Sequence, residues 1–436
     1  MSNQPPLNFK FSLSAANPDV AKIVSFARDN QLEQAAAFAH ARATEDVRYS
    51  EVLTALAAVQ AAAGLLKQAR ENCERAIKLD AENPVYYAHL AYVLFASKDF
   101  ADASRAIEQA IAGGRRSELD FCLASLCSLR TRQIEKAQAY SRQLVAAWPT
   151  NARNIDLLAE AFQLAGQSNA KPLAFRTAGT ACLQRGQPKE ALQLLEKARG
   201  LAPGDGVILS LLAGAHRELL SYGKAEECVR KAMELGEVSW RTANILGLIL
   251  QETCRSGEAL EEFRKATRRD PSDPLPHGNA VMAMHYNPEI GADEIRREIA
   301  LYADKATSGA DEASYSRRRS ARKPLRVGLL SGSFHRHPAT YLSLHGLEEV
   351  NKQAIRFFAY SNGGQRDDFT DRLKKLCGVW REIGAASDDN AAETIRADDL
   401  DILIDMAGST QGRPGVIARK PAPVQVKWVG GLYNTT

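Results

Sequence analysis

A spacing of 34 residues, repeated along the N-terminal part of the chain, constrains the fold more than any other feature of the sequence. Small side chains recur at this spacing in three parallel series, which are offset from one another by 12 and then 7 residues. The series are Ala57, Ala91, Ser125 and Ala159; Ala35, Ala69, Ala103 and Ala137; Ala76 and Ala110; and, after a break, Gly179, Ala213 and Gly247; Ala191, Ala225 and Ala259; and Ala198, Ala232 and Ala266. One small residue on a first helix and two on a second let antiparallel helices approach closely. The pattern therefore predicts tandem helix pairs.

Turn residues separate the predicted pairs. Pro and Gly occur in LDAENP (79–84), LAPGD (201–205) and RDPSDP (269–274), where they end one pair before the next begins. A period of 34 with this small-residue pattern is the tetratricopeptide signature. We therefore predict a mainly α protein in which residues 1–273 form a tetratricopeptide-repeat superhelix. Stacked repeats share a continuous core and a curved groove, which suits the binding of extended protein segments; a purely structural spacer is the alternative.

The repeat is interrupted once. Ala137 and Ala191 are 54 residues apart, which is one period of 34 plus 20 further residues. The additional residues predict an irregular helix near 151–171 and divide the array into two blocks.

The periodicity changes after the repeats. Residues 274–323 are predicted to form a helical linker, with two helices around the turn at Asn287 and Pro288. From residue 324 onward, short apolar runs alternate with helical stretches, which predicts a parallel sheet in a Rossmann-like lobe of residues 324–436. The predicted strands are Leu325–Ser331, Arg356–Tyr360, Val379–Ile383, Asp401–Asp405 and Val424–Val429, and the predicted helices lie near residues 367–376, 390–397 and 414–419, with another beginning at Pro338.

The loops that follow strands are the candidate site, because active sites of parallel sheets lie at the carboxyl ends of the strands. The first loop, SGSFHRHPATY, carries Gly332, His335 and His337 and leads into a helix; the second, MAGSTQGRPG, carries Gly408 and Thr410. A Gly-rich loop before a helix can bind an anion, although neither loop contains GxGxxG or GxxxxGK[ST]. At the start of a helix, His337 is suited to hydrogen bonding or proton transfer; a structural role is its alternative.

Composition excludes several classes of protein. The net charge of +4 is too small to indicate a nucleic-acid partner. The seven cysteines form no CxxC and no His/Cys cluster with metal-ligand spacing, so we expect buried thiols in a reducing compartment and no metal. The N-terminus lacks a signal-peptide pattern, and no stretch approaches the ~18 apolar residues that span a membrane. We expect a cytoplasmic protein without a membrane segment.

Four stretches and the order of the domains resemble the O-GlcNAc transferase and SPINDLY family, especially its bacterial members. The stretches are LRVGLLSGSFHRHP, DILIDMAGSTQG, KPAPVQVKW and MHYNPEIGADEI. The resemblance implies a glycosyltransferase in which tetratricopeptide repeats precede two Rossmann-like lobes of the GT-B type. Such enzymes transfer a sugar from a nucleotide donor to Ser or Thr of proteins without a required metal, and plant SPINDLY-type members transfer fucose.

The resemblance also implies roles for individual residues. His337 matches the active-site histidine of the first lobe and is the expected catalytic residue. Gly332 in the first loop, and Gly408, Thr410 and Gln425 in the matched motifs, are expected to border the nucleotide-sugar donor, for which UDP-GlcNAc is the first choice. Protein or peptide acceptors are expected in the repeat groove, and a homo-oligomer is compatible with the sequence.

Two features depart from the family pattern. Relatives line the groove with Asn two residues before the small residue of each first helix, and the residues here do not support such a ladder of amides. Those residues are Ala55, His89, Leu123, Thr177, Leu211 and Ile245. Transfer needs two facing lobes, and residues 324–436 accommodate one. We therefore expect an incomplete enzyme, truncated after its first catalytic lobe, without the donor-binding lobe and inactive alone. The alternative is a non-catalytic tetratricopeptide scaffold for protein–protein interaction.

Overall fold

The computed structural model describes residues 17–29, 31–42, 47–306, 315, 324–407 and 412–429. The chain divides into two compact units. One contains Met1–Cys182 and Gln193–Pro203, and the other contains Leu183–Leu192 and Gly204–Thr436. The second unit therefore includes both helical repeats and the C-terminal α/β lobe, and the domain limits at residues 273 and 323 stay a prediction.

Helices fill the described residues up to 306 and follow one another with short turns between them. They are α1 (Pro18–Arg28), α2 (Leu32–Ala41), α3 (Val47–Ala62), α4 (Leu66–Leu79), α5 (Pro84–Ala96), α6 (Phe100–Ala112), α7 (Glu118–Arg130), α8 (Ile134–Ala147), α9 (Ala152–Leu164), α10 (Ala170–Gln184), α11 (Pro188–Leu201), α12 (Gly206–Glu218), α13 (Tyr222–Glu234), α14 (Trp240–Glu252), α15 (Ser256–Arg269), α16 (Pro274–His285) and α17 (Ala292–Ala306). None of these described helices has the length and apolar character needed to cross a bilayer.

The small residues of the 34-residue series lie where helices of a pair meet. Every one of them is buried, and most expose none of their surface. The reason is visible at Gly247 of α14, where an added Cβ would stand 2.6 Å from the ring of Phe263 in α15. Gly179 of α10 faces Leu195 of α11 in the same way. The tetratricopeptide prediction is confirmed at the level of packing.

We expect Gly247→Ala to destabilise the protein by about 1–2 kcal/mol. The added methyl group overpacks a fully buried aromatic ring, which costs about 1–3 kcal/mol, and this outweighs the gain of about 1 kcal/mol from replacing Gly inside a helix. Gly214→Ala in α12 is the control, because no atom lies within 4 Å of its added Cβ. Urea unfolding should place the first variant below wild type and the second at or above it; equal midpoints would contradict this packing.

The interruption of the repeat corresponds to one additional helix. Residues 151–171, predicted to hold an irregular helix, contain α9, which is a regular α-helix of 13 residues. The side chain of Asn151 caps it by accepting a hydrogen bond from the backbone N–H of Arg153 at 3.0 Å. The helix packs on α7 and α8, and α10 then begins the next pair. The irregularity lies in the order of helices and not in the helix itself.

The predicted linker continues the stack of helices. α16 packs on α15 and α14, where the amide of Asn279 donates to the buried side chain of Asn244 at 2.8 Å. His277 of α16 contacts Glu298 of α17 at 3.0 Å between ring Nδ1 and carboxylate Oε1. The two helices predicted around Asn287 are confirmed, and residues 307–314 and 316–323 lie outside the described part of the chain.

The C-terminal lobe is a five-stranded parallel sheet in the order β3-β2-β1-β4-β5. Its elements are β1 (Leu325–Ser331), α18 (Pro338–Glu348), β2 (Ile355–Ser361), α19 (Asp368–Leu376), β3 (Val379–Glu382), α20 (Asp388–Ala397), β4 (Ile402–Asp405), α21 (Pro414–Ala418) and β5 (Val424–Lys427). The strands agree with the sequence prediction to within two residues. The predicted fold class, helical repeats followed by a Rossmann-like α/β lobe, is confirmed.

Alternating residues of the strands fill two cores, one on each face of the sheet. Leu329 and Phe357 pack on one face with α18 and α19. Leu330, Phe358 and Leu403 pack on the other with α20 and α21. The chain first proceeds from β1 to β2 and β3 on one side of the sheet, and then returns to β4 and β5 on the other side. Because each crossover is right-handed, this change of direction places the later helices on the opposite face. This reversal fixes where a ligand site can form.

Candidate active site

The two loops selected from the sequence flank the point where the strand order reverses. The chain leaves β1 towards β2 on one side and later returns to β4 on its other side. In open parallel sheets, ligands bind in the crevice beyond the carboxyl ends of the strands at this switch point. The loop after β1 carries Gly332, His335 and His337, and the loop after β4 begins at Met406. The topology therefore brings both loops to one edge.

His337 is the N-cap residue of α18. Its backbone is extended, with φ −139° and ψ 148°, and Pro338 occupies the first helical position. Its Nδ1 accepts a hydrogen bond from the backbone N–H of Ala339 at 3.2 Å. A nitrogen that accepts this bond carries no proton, so the ring is the neutral tautomer with its proton on Nε2. The partly exposed imidazole thus offers an Nε2–H donor at the sheet edge.

Side chains of α19 hold the loop after β1 in place. Asp367 accepts a hydrogen bond from the backbone N–H of Arg336 at 2.7 Å, and the guanidinium of Arg336 forms a two-point ion pair with Asp368 at 2.8 Å. The hydroxyl of Thr370 donates to the carbonyl of Phe334 at 2.6 Å. The orientation of His337 therefore depends on the helix that follows β2 as well as on its own.

His335 lies beside His337 in the same loop. The two rings are 5.8 Å apart, and His335 Nδ1 is buried without a hydrogen-bond partner in the described part of the chain. Burial lowers the pKa of His335, and the neighbouring His337 lowers it further, whereas Asp367 acts in the opposite direction. The lowered pKa favours the neutral form of His335.

Gly332 contributes a close backbone contact. A Cβ added to Gly363, in the loop after β2, would overlap the carbonyl oxygen of Gly332. The backbone N–H of Asn362 donates to the carbonyl of Ser331 at 2.9 Å just beyond the paired strands. The loops after β1 and β2 are thus packed backbone against backbone, and the predicted role of Gly332 at the donor stays a prediction.

An ion pair between β4 and β5 was not anticipated from the sequence. Lys427 Nζ lies 2.7 Å from Asp405 Oδ2 and also donates to the carbonyl of Ala407. Asp405 Oδ1 accepts from the backbone N–H of Ala407 at 3.0 Å. The two residues face each other in the parallel register. Their opposite charges at the ends of two predicted strands were the available signal, but the pairing of those strands was needed to recognise it.

Both ends of the loop after β4 are anchored. Lys427 holds its beginning at Ala407, and Arg413 holds its end by donating to the carbonyls of Ile383 at 2.8 Å and Ala386 at 2.9 Å. Arg413 also pairs with Asp388. Gly408 and Thr410 themselves lie outside the described residues, so their predicted contacts with the donor remain predictions.

Gln425 is directed towards α21. Its Nε2 donates to the carbonyl of Ile417 at 3.0 Å, where it satisfies a carbonyl at the end of that short helix. Its Oε1 is buried without a partner among the described residues. The structure thus gives Gln425 a contact with the protein itself, and its predicted contact with the donor stays a prediction.

Within the residues that the structure describes, no group of three His, Cys, Asp or Glu side chains is placed to hold a metal ion.

The C-terminal part of the chain matches a known protein-family model. Residues 293–436 match the model described as glycosyl transferase family 41. The chain is 29% identical over 180 residues to a probable UDP-N-acetylglucosamine–peptide N-acetylglucosaminyltransferase SPINDLY of Hordeum vulgare, covering 38% of this chain and 18% of that protein. It is 33% identical over 111 residues to a UDP-N-acetylglucosamine–peptide N-acetylglucosaminyltransferase of Caenorhabditis elegans, covering 24% of this chain and 10% of that protein. The matched part spans less than a fifth of the length of these two relatives.

A solved structure supports the fold. A mutant of the Thermobaculum terrenum O-GlcNAc transferase superposes with a TM-score of 0.57 at 24% sequence identity, covering 60% of this chain and 51% of that one. The similarity at this identity concerns the arrangement of helices and sheet, which agrees with the prediction from the sequence.

Proposed function

Residues 293–436 carry a glycosyl transferase family 41 domain, and from this premise we propose that the chain provides the acceptor-binding repeats and first catalytic lobe of a protein O-glycosyltransferase. The substrates are a nucleotide sugar, UDP-GlcNAc, and Ser or Thr side chains of proteins held by the repeats. The observation that carries the proposal is the position of His337, whose Nε2–H donor stands at the switch point of a parallel sheet. The free cysteines of the described residues and a nucleotide-sugar donor support a cytoplasmic location for the reaction.

The reaction forms one bond and breaks another at the anomeric carbon of the sugar. The acceptor hydroxyl oxygen attacks that carbon, and the bond to the diphosphate oxygen breaks, with its electron pair leaving on UDP. His337 donates a hydrogen bond from Nε2 to an oxygen of the sugar or acceptor and so aligns the reactants. It does not serve as the base in this tautomer, because its unprotonated nitrogen is occupied by the N–H of Ala339.

The hydroxyl proton passes to the departing diphosphate or to water, and the diphosphate charge needs groups other than His337. Asp405 and Lys427 form a charged pair at the ends of β4 and β5, and each neutralises the other at 2.7 Å. We therefore assign stabilisation of the leaving diphosphate to a second lobe facing this edge, as the family resemblance implies. Calorimetry of residues 1–436 with UDP-GlcNAc should accordingly show no micromolar binding.

Sugar transfer by the full-length protein tests the proposal. Incubation with tritiated UDP-GlcNAc and an array of Ser- and Thr-containing peptides should yield labelled peptides, and mass spectrometry should locate the sugar on a hydroxyl side chain. Peptides that bind but never gain a sugar would instead identify a tetratricopeptide scaffold. Transfer from a different nucleotide sugar would show that UDP-GlcNAc is not the donor, while the proposed type of reaction would stand.

A further inference from the structure

A cavity of about 310 Å³ opens on the repeats of the second compact unit, next to the α/β lobe. The end of α10, α12 and α14 form one side, and the loop after β2 closes the other through Gly364 and Gln365. Its volume is at the lower end of the range for ligand pockets, about 300–1,000 Å³. This size suits a single side chain of a bound segment and not a whole folded domain.

Three aliphatic side chains give the cavity an apolar wall. Leu183, Ile245 and Leu248 line it, and each is only partly buried in the protein alone. Gly214 lies between them in the lining, and a Cβ added there would meet no atom within 4 Å. The cavity therefore exists partly because this helix position lacks a side chain. Covering the three aliphatic groups with an apolar side chain of a ligand is favourable.

One guanidinium at the rim is free to pair with a ligand. Arg217 is already held by two carboxylates, Glu252 at 2.9 Å and Glu218. Arg185, also in the lining, is exposed and has no ion-pair partner within the described residues. A ligand carboxylate next to the apolar wall can therefore pair with Arg185 without displacing an existing ion pair.

The cavity and His337 share a loop. Gln365 at the cavity is two residues from Asp367, which accepts the backbone N–H of Arg336 at 2.7 Å, and Arg336 directly precedes His337. An extended segment seated in the cavity thus lies along the same loop that supports the histidine. This continuity favours the acceptor as the occupant over an unrelated partner.

We propose that the cavity selects acceptor segments that carry an aliphatic side chain close to an acidic residue, the first packing on Leu183, Ile245 and Leu248 and the second pairing with Arg185. The proposal rests on the proposed function and specifies its acceptor class. It also supplies a means of holding a peptide where the repeats lack the amide ladder of relatives.

Filling the cavity tests the proposal. Gly214→Phe places a ring in open space inside it, and Gly223→Phe in α13 is the matched control, since an added Cβ there also meets no atom within 4 Å and Gly223 does not line the cavity. The probes are fluorescein-labelled ten-residue peptides of Ala and Ser with one Leu and one Glu two residues apart. Companion peptides replace Leu or Glu by Lys. Fluorescence anisotropy with residues 1–436 measures their affinity.

We expect the Leu/Glu peptide to bind about tenfold more tightly than either companion. Gly214→Phe should remove this difference, Gly223→Phe should keep it, and Arg185→Ala should weaken only the Glu-dependent part, by about two- to fivefold. Equal binding of all three peptides, or full binding by Gly214→Phe, would overturn the proposal. If the full-length protein transferred sugar to all three peptides equally, the proposed selectivity of the cavity would be wrong and the proposed transferase function would stand. If the peptides bound selectively but gained no sugar, the selectivity would stand and the transferase function would be wrong.

Discussion

His337→Asn should lower sugar transfer by the full-length protein at least about 100-fold while leaving the fold intact. The variant removes the imidazole Nε2–H that we place at the reacting centre, and one preorganised hydrogen-bond donor of this kind contributes about 10²–10³-fold. Asn is a favourable N-cap residue, so its side-chain oxygen can still accept from the backbone N–H of Ala339. The initial rate with tritiated UDP-GlcNAc and a fixed peptide acceptor measures the effect, with kcat falling more than KM changes.

His337→Ala separates the two roles of the side chain. It loses the imidazole and the cap together, so its transfer rate should match that of His337→Asn, while its stability should fall by a further ~1 kcal/mol. Wild-type transfer by the Asn variant would remove His337 from the mechanism. A loss seen only with Ala would reduce the residue to a helix cap.

Gly363→Ala should separate the loops that follow β1 and β2 at the carboxyl edge of the sheet. Its methyl group would overlap the carbonyl oxygen of Gly332, and a backbone carbonyl cannot move aside as a flexible side chain can. Overpacking typically costs about 1–3 kcal/mol, and we expect the upper end because two strand-end loops must separate. Hydrogen exchange followed by mass spectrometry should show faster exchange in peptides from β1 and β2, together with reduced sugar transfer by the full-length protein.

The neighbouring glycine provides the control for this experiment. Gly364→Ala adds the same methyl group one residue later, where no atom lies within 4 Å. Its exchange in β1 and β2 should equal that of wild type. Equal protection in both variants would show that the contact between the two loops does not constrain the edge.

Local periodicity explains why so much of the fold was predictable. The 34-residue spacing marks Gly247 as a position of close helix packing, and it meets Phe263 of the paired helix. The alternation of strands and helices after residue 324 leaves few arrangements other than a parallel sheet. The same rule brings the loops after β1 and β4 to one edge. His337 could therefore be located from sequence, as a residue at a strand tip and a helix start.

Features that depend on contacts between distant elements were not predictable. The pairing of Asp405 with Lys427 requires the register of β4 and β5, and the buried Nδ1 of His335 requires the packing around it. The groove shows the same limit. The positions that carry Asn in relatives are buried here at Ala55, His89 and Leu123 but only partly buried in the later repeats. Which of them face a ligand depends on how closely successive first helices pack.

Photo-cross-linking tests most directly whether acceptors reach the sheet edge at His337. A peptide that the full-length protein glycosylates is synthesised with benzoylphenylalanine in place of the modified Ser or Thr, bound, irradiated and digested with trypsin. We predict that the label is found on the fragments of residues 327–336 or 337–352, or on the fragment ending at Arg366, and is competed by the unmodified peptide. Label confined to other fragments would contradict the assignment of this edge as the catalytic site.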